Sequence, residues 1–228
     1  MDNTLKVCTL SDLHGTLLPL EEFQPCDLVC ICGDISPLKM QTSHKKMRRW
    51  LRNKFLPWAY ALPCDKVLFI AGNHDGTFDD IEFMKTVFDK DKKVTYLFHE
   101  SYTYKGFTIF GTPYCKVFGN WAFMEIDEIL RNLYEQIPNN VDILMTHDAP
   151  YGTSDVLLQP GYYTGEHIGN MPLAEAIIKK APSYVLHGHL HSTSHEFEEW
   201  GGAKIINCSI KDEHYEPIYD PIYFEICK

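Results

Sequence analysis

Five short apolar runs in this 228-residue chain each stop abruptly at Asp, Asn, His or Gly, and this repeated arrangement narrows the fold more than any other feature. Lys6-Val-Cys-Thr-Leu-Ser11 runs into Asp12-Leu-His14, Leu28-Val-Cys-Ile-Cys32 into Gly33-Asp34, and Val67-Leu-Phe-Ile-Ala71 into Gly72-Asn73-His74-Asp75. Ile143-Leu-Met145 leads to Thr146-His147-Asp148, and Tyr184-Val-Leu186 to His187-Gly-His-Leu-His191. Near-continuous apolar runs of this length fit strands covered on both faces. In open α/β sheets the ligand crevice lies beyond the carboxyl ends of such strands. Five polar strand ends are therefore expected to converge on one site.

Helical spacing separates these runs, over about Ser43 to Lys54, Asp79 to Phe88, Glu125 to Gln136, and Pro172 to Lys180, where Pro172 suits a first helical turn. Strands alternating with helices predict an α/β layered fold. A hairpin is expected around Lys105-Gly106, and late strands at Lys204 to Asn207 and Ile218 to Ile226 make the sheet mixed. Tyr151 to Asn170 carries four Gly and little periodicity, so it reads as a long loop with a functional role. The length and the 45% hydrophobic content suit one globular domain over residues 1–228.

The formal charge of −10 opposes a surface that grips nucleic acid as a whole, because phosphate backbones demand clustered Lys and Arg. Bound metals would then supply the local positive charge. The first residues lack the basic start and apolar stretch of a secretory signal, and no apolar run approaches a membrane span, so a cytoplasmic protein without membrane contact is expected. Of the eight cysteines, Cys8, Cys30 and Cys32 lie in apolar runs and read as reduced structural thiols; no Cys-x-x-Cys pair occurs.

Carboxylate oxygens and imidazole nitrogens bind divalent metals of the Mn, Fe and Zn type, and two such ions roughly 3.5 to 4 Å apart can clamp a phosphoryl group. The ordered series Asp-x-His, Gly-Asp, Gly-Asn-His-Asp, Thr-His and Gly-His-x-His resembles that of the calcineurin-like metallophosphoesterase superfamily, from Lys6 to about Ser209. Gly72-Asn-His-Asp-Gly-Thr-Phe-Asp79, Lys105-Gly-Phe-Thr-Ile-Phe-Gly-Thr-Pro113, Phe118-Gly-Asn-Trp121 and Asp142-Ile-Leu-Met-Thr-His147 are most similar to its class III phosphodiesterase-like branch, with the brain metallophosphoesterase-domain proteins. The resemblance implies a four-layer αββα sandwich of two mixed sheets flanked by helices. It also implies two divalent ions (Mn, Fe, Zn or Co, with Mn favoured), one held by Asp12, His14 and His191, the other by Asn73, His147 and His189. Asp34 would bridge them together with the attacking water or hydroxide. His74 would act as general acid or electrostatic stabiliser, and Asp75 would either orient it or be an exposed turn carboxylate.

The implied activity is hydrolysis of a phosphodiester, or a monoester, on a small nucleotide-like molecule. The run Asp34-Ile-Ser-Pro37-Leu38 lacks the further Asp and Arg of the phosphoprotein phosphatases, which disfavours a protein phosphatase. A nuclease of the same superfamily is disfavoured by the acidic charge. A non-catalytic scaffold of this fold is disfavoured because all seven ligand positions are intact and His189 is kept. His187, which precedes the last motif, reads as a support behind the ligands or a structural residue. The basic run His44 to Lys54 carries Met47, Trp50, Leu51 and Phe55 on one stripe and reads as the solvated face of a docked helix. Phe118, Asn120 and Trp121 are candidate pocket walls, and Asn207-Cys-Ser209 is a candidate second support of the site.

Overall fold

The computed structural model describes residues 3–41, 43–89, 92–157 and 165–228. Its strands are β1 (Thr4–Leu10), β2 (Cys26–Cys32), β3 (Cys64–Ile70), β4 (Val94–Tyr96), β5 (Glu100–Tyr104), β6 (Phe107–Thr112), β7 (Cys115–Lys116), β8 (Met124–Glu125), β9 (Ile143–Thr146), β10 (Tyr184–His187), β11 (Glu198–Trp200), β12 (Ala203–Asn207) and β13 (Ile222–Cys227). The first sheet runs β13-β1-β2-β3-β4, parallel except for β13. The second runs β11-β12-β10-β9-β6-β5, with a parallel centre and antiparallel edge strands. A short β7–β8 pair stands apart.

Side-chain alternation builds the layers. Along β2, Leu28, Cys30 and Cys32 point between the two sheets, where they meet Ile143 and Met145 of β9 and Leu186 of β10. Val29 and Ile31 point the other way, against helices. Both faces of each central strand are thus covered, which is why these segments read as unbroken apolar runs. On the outer face of the first sheet lie α1 (His44–Trp50), α2 (Leu56–Ala61) and α3 (Ile81–Val87), contributing Met47, Trp58 and Met84. The second sheet is covered by α4 (Asp127–Tyr134) and α5 (Met171–Lys180), through Leu130, Tyr134, Leu173 and Ile177. The result is the four-layer αββα sandwich that the resemblance implied.

Two details depart from the periodicity, and the hairpin follows it. The helix expected to end near Lys54 continues to Ala61 through a π-turn at Leu51–Phe55. Pro57 explains it: inside a regular helix its ring would strike the carbonyl four residues back, and widening the preceding turn moves that carbonyl aside. Met47, Leu51 and Phe55 are buried there with the charges outward, and Arg48 and Arg52 lie over the Phe83 ring. The last strand starts at Ile222, not Ile218, because Pro221 has no N–H to give to a ladder. Lys105 (φ 47°) and Gly106 (φ 82°) close the β5–β6 hairpin in the left-handed pair that a two-residue turn requires. Among the described residues, no helix is long and apolar enough to cross a membrane.

Phe69 of β3 is fully enclosed, with ring centroids at 4.9 Å from Phe88, 5.2 Å from Phe55 and 5.3 Å from Tyr96. Phe69→Ala is expected to cost about 3–5 kcal/mol of unfolding free energy, measured by guanidinium titration. A loss under about 1 kcal/mol would show that this aromatic cluster does not hold the helices to the sheet.

Candidate metal centre

Parallel strands of both sheets end at the same edge of the sandwich, and the turn after each one folds back over it. The backbone there is tight: Asp12 (φ 57°), His14 (φ 42°), Asp34 (φ 51°) and His189 (φ 72°) all sit in the left-handed region, which side chains other than Gly enter at a cost of about 1–3 kcal/mol. Hydrogen bonds between turns hold these conformations. The Asp12 N–H donates to Gly33 O (3.1 Å), the His14 N–H to Asp34 O (2.8 Å), and the Gly188 N–H to His147 O (3.1 Å). The His189 N–H donates to the Asp12 carboxylate, at 3.2 and 3.1 Å from its two oxygens. Two motif glycines are needed for close approach: a Cβ on Gly72 would strike the Asp34 carboxylate, and one on Gly188 would strike the side chains of Ser11 and Asp12.

The seven residues expected as ligands come together here. Asp34 is at their centre. Its Oδ2 lies 3.5 Å from His14 Nε2 and 3.9 Å from His74 Nε2, its Oδ1 lies 3.4 Å from His147 Nε2, and it accepts the His74 backbone N–H at 2.8 Å. Asp12 Oδ1 stands 3.3 Å from His191 Nε2, and Asn73 Oδ1 stands 3.0 Å from His147 Nε2. The His189 ring is beside that of His147, with centroids 5.1 Å apart. Two groups, Asp12/His14/His191 and Asp12/Asp34/His147, offer ligand atoms within 4.8 Å of one another.

Charge in this enclosed space is unevenly distributed. Burial opposes ionisation of Asp12 and Asp34, but the imidazoles beside them win and hold both carboxyls far below the usual range. Burial likewise opposes charge on His147, yet the Asp34 carboxylate overcomes it and pushes His147 up to about 10. For His191 the hydrogen bond to Asp12 overcomes burial and pushes it up to about 9. Each of these two rings has an acceptor at both nitrogens, His147 Nδ1 facing Cys32 O (2.8 Å) and His191 Nδ1 facing Asp212 O (2.9 Å). His14 is the opposite case. Burial takes it down to about 4, and neither ring nitrogen has a hydrogen-bond partner although its side chain is 2% exposed.

An orphaned imidazole next to two ionised carboxylates is what a cation would complete. The donor set of imidazole nitrogen, carboxylate oxygen and one amide oxygen suits Mn, Fe, Zn or Co. The carbonyls at Cys32 and Asp212 would orient His147 and His191, leaving Nε2 toward the centre. The residues present therefore fit a divalent cation among Asp12, Asp34 and the imidazoles around them.

His74 lies at the open side, its ring 4.5 Å from Trp121 and 5.2 Å from His14 by centroids; burial lowers its pKa, so it is neutral near pH 7. Asp75 differs from both sequence expectations. It is buried, and its carboxylate accepts the N–H groups of Ile35 (3.1 Å), Ser36 (2.8 Å) and Gly72 (2.9 Å), so it straps the β2 turn to the β3 turn and does not orient the His74 ring. Burial and then the charge of Asp34 push it up to about 6.

Phe118 stands 5.0 Å from the His189 ring, at a cleft of about 430 Å³ walled also by Leu157, Ile168 and Leu190; Asn120 stays exposed. Part of the long loop reaches this cleft, while residues 158–164 of it lie outside the described residues. His187 is buried against Gly188 O, and Asn207 braces the His189–His191 turn by donating to Leu190 O (2.6 Å) and Thr193 Oγ1 (2.7 Å). Sequence reasoning missed Asp212 and Tyr215, whose ring lies edge-on to His14 (4.9 Å) and His191 (5.3 Å). They occupy an irregular segment after Ser209 that carries neither periodicity nor motif, so nothing in the sequence pointed to them.

Comparison with known proteins places this arrangement among relatives. Metallophosphoesterase domain-containing protein 1 of Homo sapiens is 28% identical over 244 residues, spanning 96% of this chain and 70% of that protein. UPF0046 protein T07D4.2 of Caenorhabditis elegans is 26% identical over 255 residues, spanning 99% of this chain and 60% of that one. The crystal structure of TT1561 of Thermus thermophilus shares the fold, with a TM-score of 0.59 at 17% identity over 90% of this chain and 88% of that chain. Residues 5–193 match the pattern of the calcineurin-like phosphoesterases, from the first strand through the last of the histidine motifs, and the chain belongs to that family.

Proposed function

We propose that this chain hydrolyses a phosphate ester, most simply a diester on a small nucleotide-like molecule, at a centre of two divalent transition-metal ions. The observation that carries this reading is Asp34: an enclosed, ionised carboxylate with one oxygen toward His14 and His74 and the other toward His147. Asp12, His14 and His191 would hold one ion, Asn73, His147 and His189 the other, and Asp34 both. Manganese is the metal we favour. Two ions so held supply Lewis acidity toward a phosphoryl oxygen and toward the attacking water.

The chain's own side chains do the rest. His74 is neutral and has an unpartnered Nδ1. From its place between His14 and Trp121 it can donate an N–H to a phosphoryl oxygen, or a proton to the departing oxygen once a bound phosphate has raised its pKa. Trp121, 46% exposed, and Phe118, 52% exposed, present aromatic faces beside His74 and His189, where a base or other planar leaving group would stack. Asp75 keeps the Asp34 and Asn73 turns together, so that bridging and terminal donors stay in one geometry.

With bis-p-nitrophenyl phosphate and Mn²⁺, Asp34→Asn and His191→Ala are expected to lose both bound metal and turnover. His74→Ala is expected to keep its metal while kcat falls roughly 10²-fold. Parent-like rates in all three would sink the mechanism.

Metal loading also has a proton signature. His147 and His191 are pushed up from 6.5 to about 10 and about 9, so without metal both are charged at pH 7.5. A metal on each Nε2 displaces that proton, and calorimetry in buffers of different ionisation enthalpy should find release of close to two protons per chain. Because both values are raised on folding, the stability they contribute is whole below pH 6.5 and is lost as pH climbs through about 9 to 10. Melting temperatures of chelator-treated protein should fall progressively between about pH 6.5 and about 10.

A further inference from the structure

The strands that deliver Asp34 and Asn73 at one end carry thiols at the other. Cys26 opens β2 and Cys64 opens β3, and the two are paired in register on adjacent parallel strands. Neighbouring strands lie about 4.8 Å apart, within the Cα separation a disulfide spans. Both side chains pack against the helix-facing core and both remain half-buried, so a small reagent reaches them. A third thiol, the fully buried Cys8 of β1, lies against Cys26. From the register and shared face of these residues, we infer that Cys26 and Cys64 are a peroxide-oxidisable dithiol, Cys26 reacting first and Cys64 closing a reversible disulfide.

The surroundings single out Cys26 among the eight cysteines. Hydrogen bonds from Cys64 and then from Cys8 draw its thiol below the ordinary value, which favours the thiolate that attacks peroxide. The carboxylates next to the pair in sequence, Asp27 and Asp65, oppose a thiolate, and Lys105, shared between them at 2.5 and 3.0 Å, offsets part of that charge. Cys30, Cys32 and Cys115 are wholly enclosed, and burial pushes their thiols up, which makes them unreactive. Cys227 is exposed, with Thr4 Oγ1 rather than a second thiol beside it.

The chemistry balances with a hydroperoxide as oxidant. The Cys26 thiolate attacks the distal peroxide oxygen, the O–O bond breaks, and the departing alkoxide or hydroxide takes a proton, leaving a sulfenic acid on Cys26. Cys64 sulfur then attacks that sulfur, the S–O bond breaks, and the oxygen leaves as water. Two thiols and one peroxide yield one disulfide, one alcohol or water, and one further water. A strand of seven residues sets this pair roughly 20 Å from the strand ends that carry Asp34, so the inference is independent of the reaction there.

The test uses the full chain with Mn²⁺ present, treated with equimolar hydrogen peroxide, alkylated and mapped by non-reducing digestion and mass spectrometry. A linked Cys26–Cys64 peptide that dithiothreitol releases is expected. In Cys64→Ser, dimedone should add to Cys26; in Cys26→Ser, dimedone should not add to Cys64. Before oxidation, maleimide should label Cys26 roughly tenfold faster than Cys227 at pH 7. A parent protein whose first oxidation product is a Cys227 link between chains, or whose Cys26 stays reduced, overturns the inference, and neither result depends on a variant folding.

Discussion

The buried negative charge of Asp34 is the constraint on which the rest of the molecule turns. A carboxylate 2% exposed is tolerable only with charged or hydrogen-bonding partners around it, and here they come from two different turns: the backbone N–H of His74 and the charged ring of His147. Asp75, buried immediately behind, adds a second carboxyl that feels the first. The folded turns therefore concentrate negative charge that a cation would relieve. A cation bound there would for that reason also stabilise these strand ends.

The centre also depends on the gap between the sheets. Asp12, Asp34 and Asn73 follow strands of the first sheet, whereas His147, His189 and His191 follow strands of the second. Direct ties across the gap are the His147 ring, with Nδ1 on Cys32 O and Nε2 on Asn73 Oδ1, and the His189 N–H on the Asp12 carboxylate. Leu28, Cys30, Ile143 and Met145 fill the space below them, between the two packed sheets. Apolar packing far from the reacting atoms thus sets how closely the two halves of the donor set approach. At the amino ends of β2 and β3 the same parallel pairing brings Cys26 beside Cys64, so one pair of strands carries hard-metal donors at one end and soft thiols at the other.

Much of this was readable before any coordinates. An apolar run that stops at Asp or His announces a buried parallel strand and its polar end together, and five such stops in order, with the family resemblance they carry, named Asp12, His14, Asp34, Asn73, His147, His189 and His191 as one set. The structure supplies the reason for the motif glycines, since Gly72 and Gly188 are where a carboxylate passes too close for a Cβ. Asp75 was misjudged because a carboxylate in a turn is normally solvated, and only the folding of the β2 turn over it supplies three N–H groups and removes the water. Tyr215 and Asp212 were invisible because an irregular segment has no period to read. The helix past Pro57 was missed because a π-turn has no local signature beyond the proline it accommodates.

Local patterns in the chain determined the order of its polar strand ends, and the family resemblance they carry implied which of those residues would be donors, because strand burial and turn chemistry are local properties of a few consecutive residues. Which donor faces which, that His14 is left without a partner while His147 and His191 hold two each, and that Cys26 lies opposite Cys64, was decided only by the tertiary structure. Those relations join residues tens to hundreds of positions apart, and their distances are set by strand register and sheet packing, which no short stretch of the chain encodes.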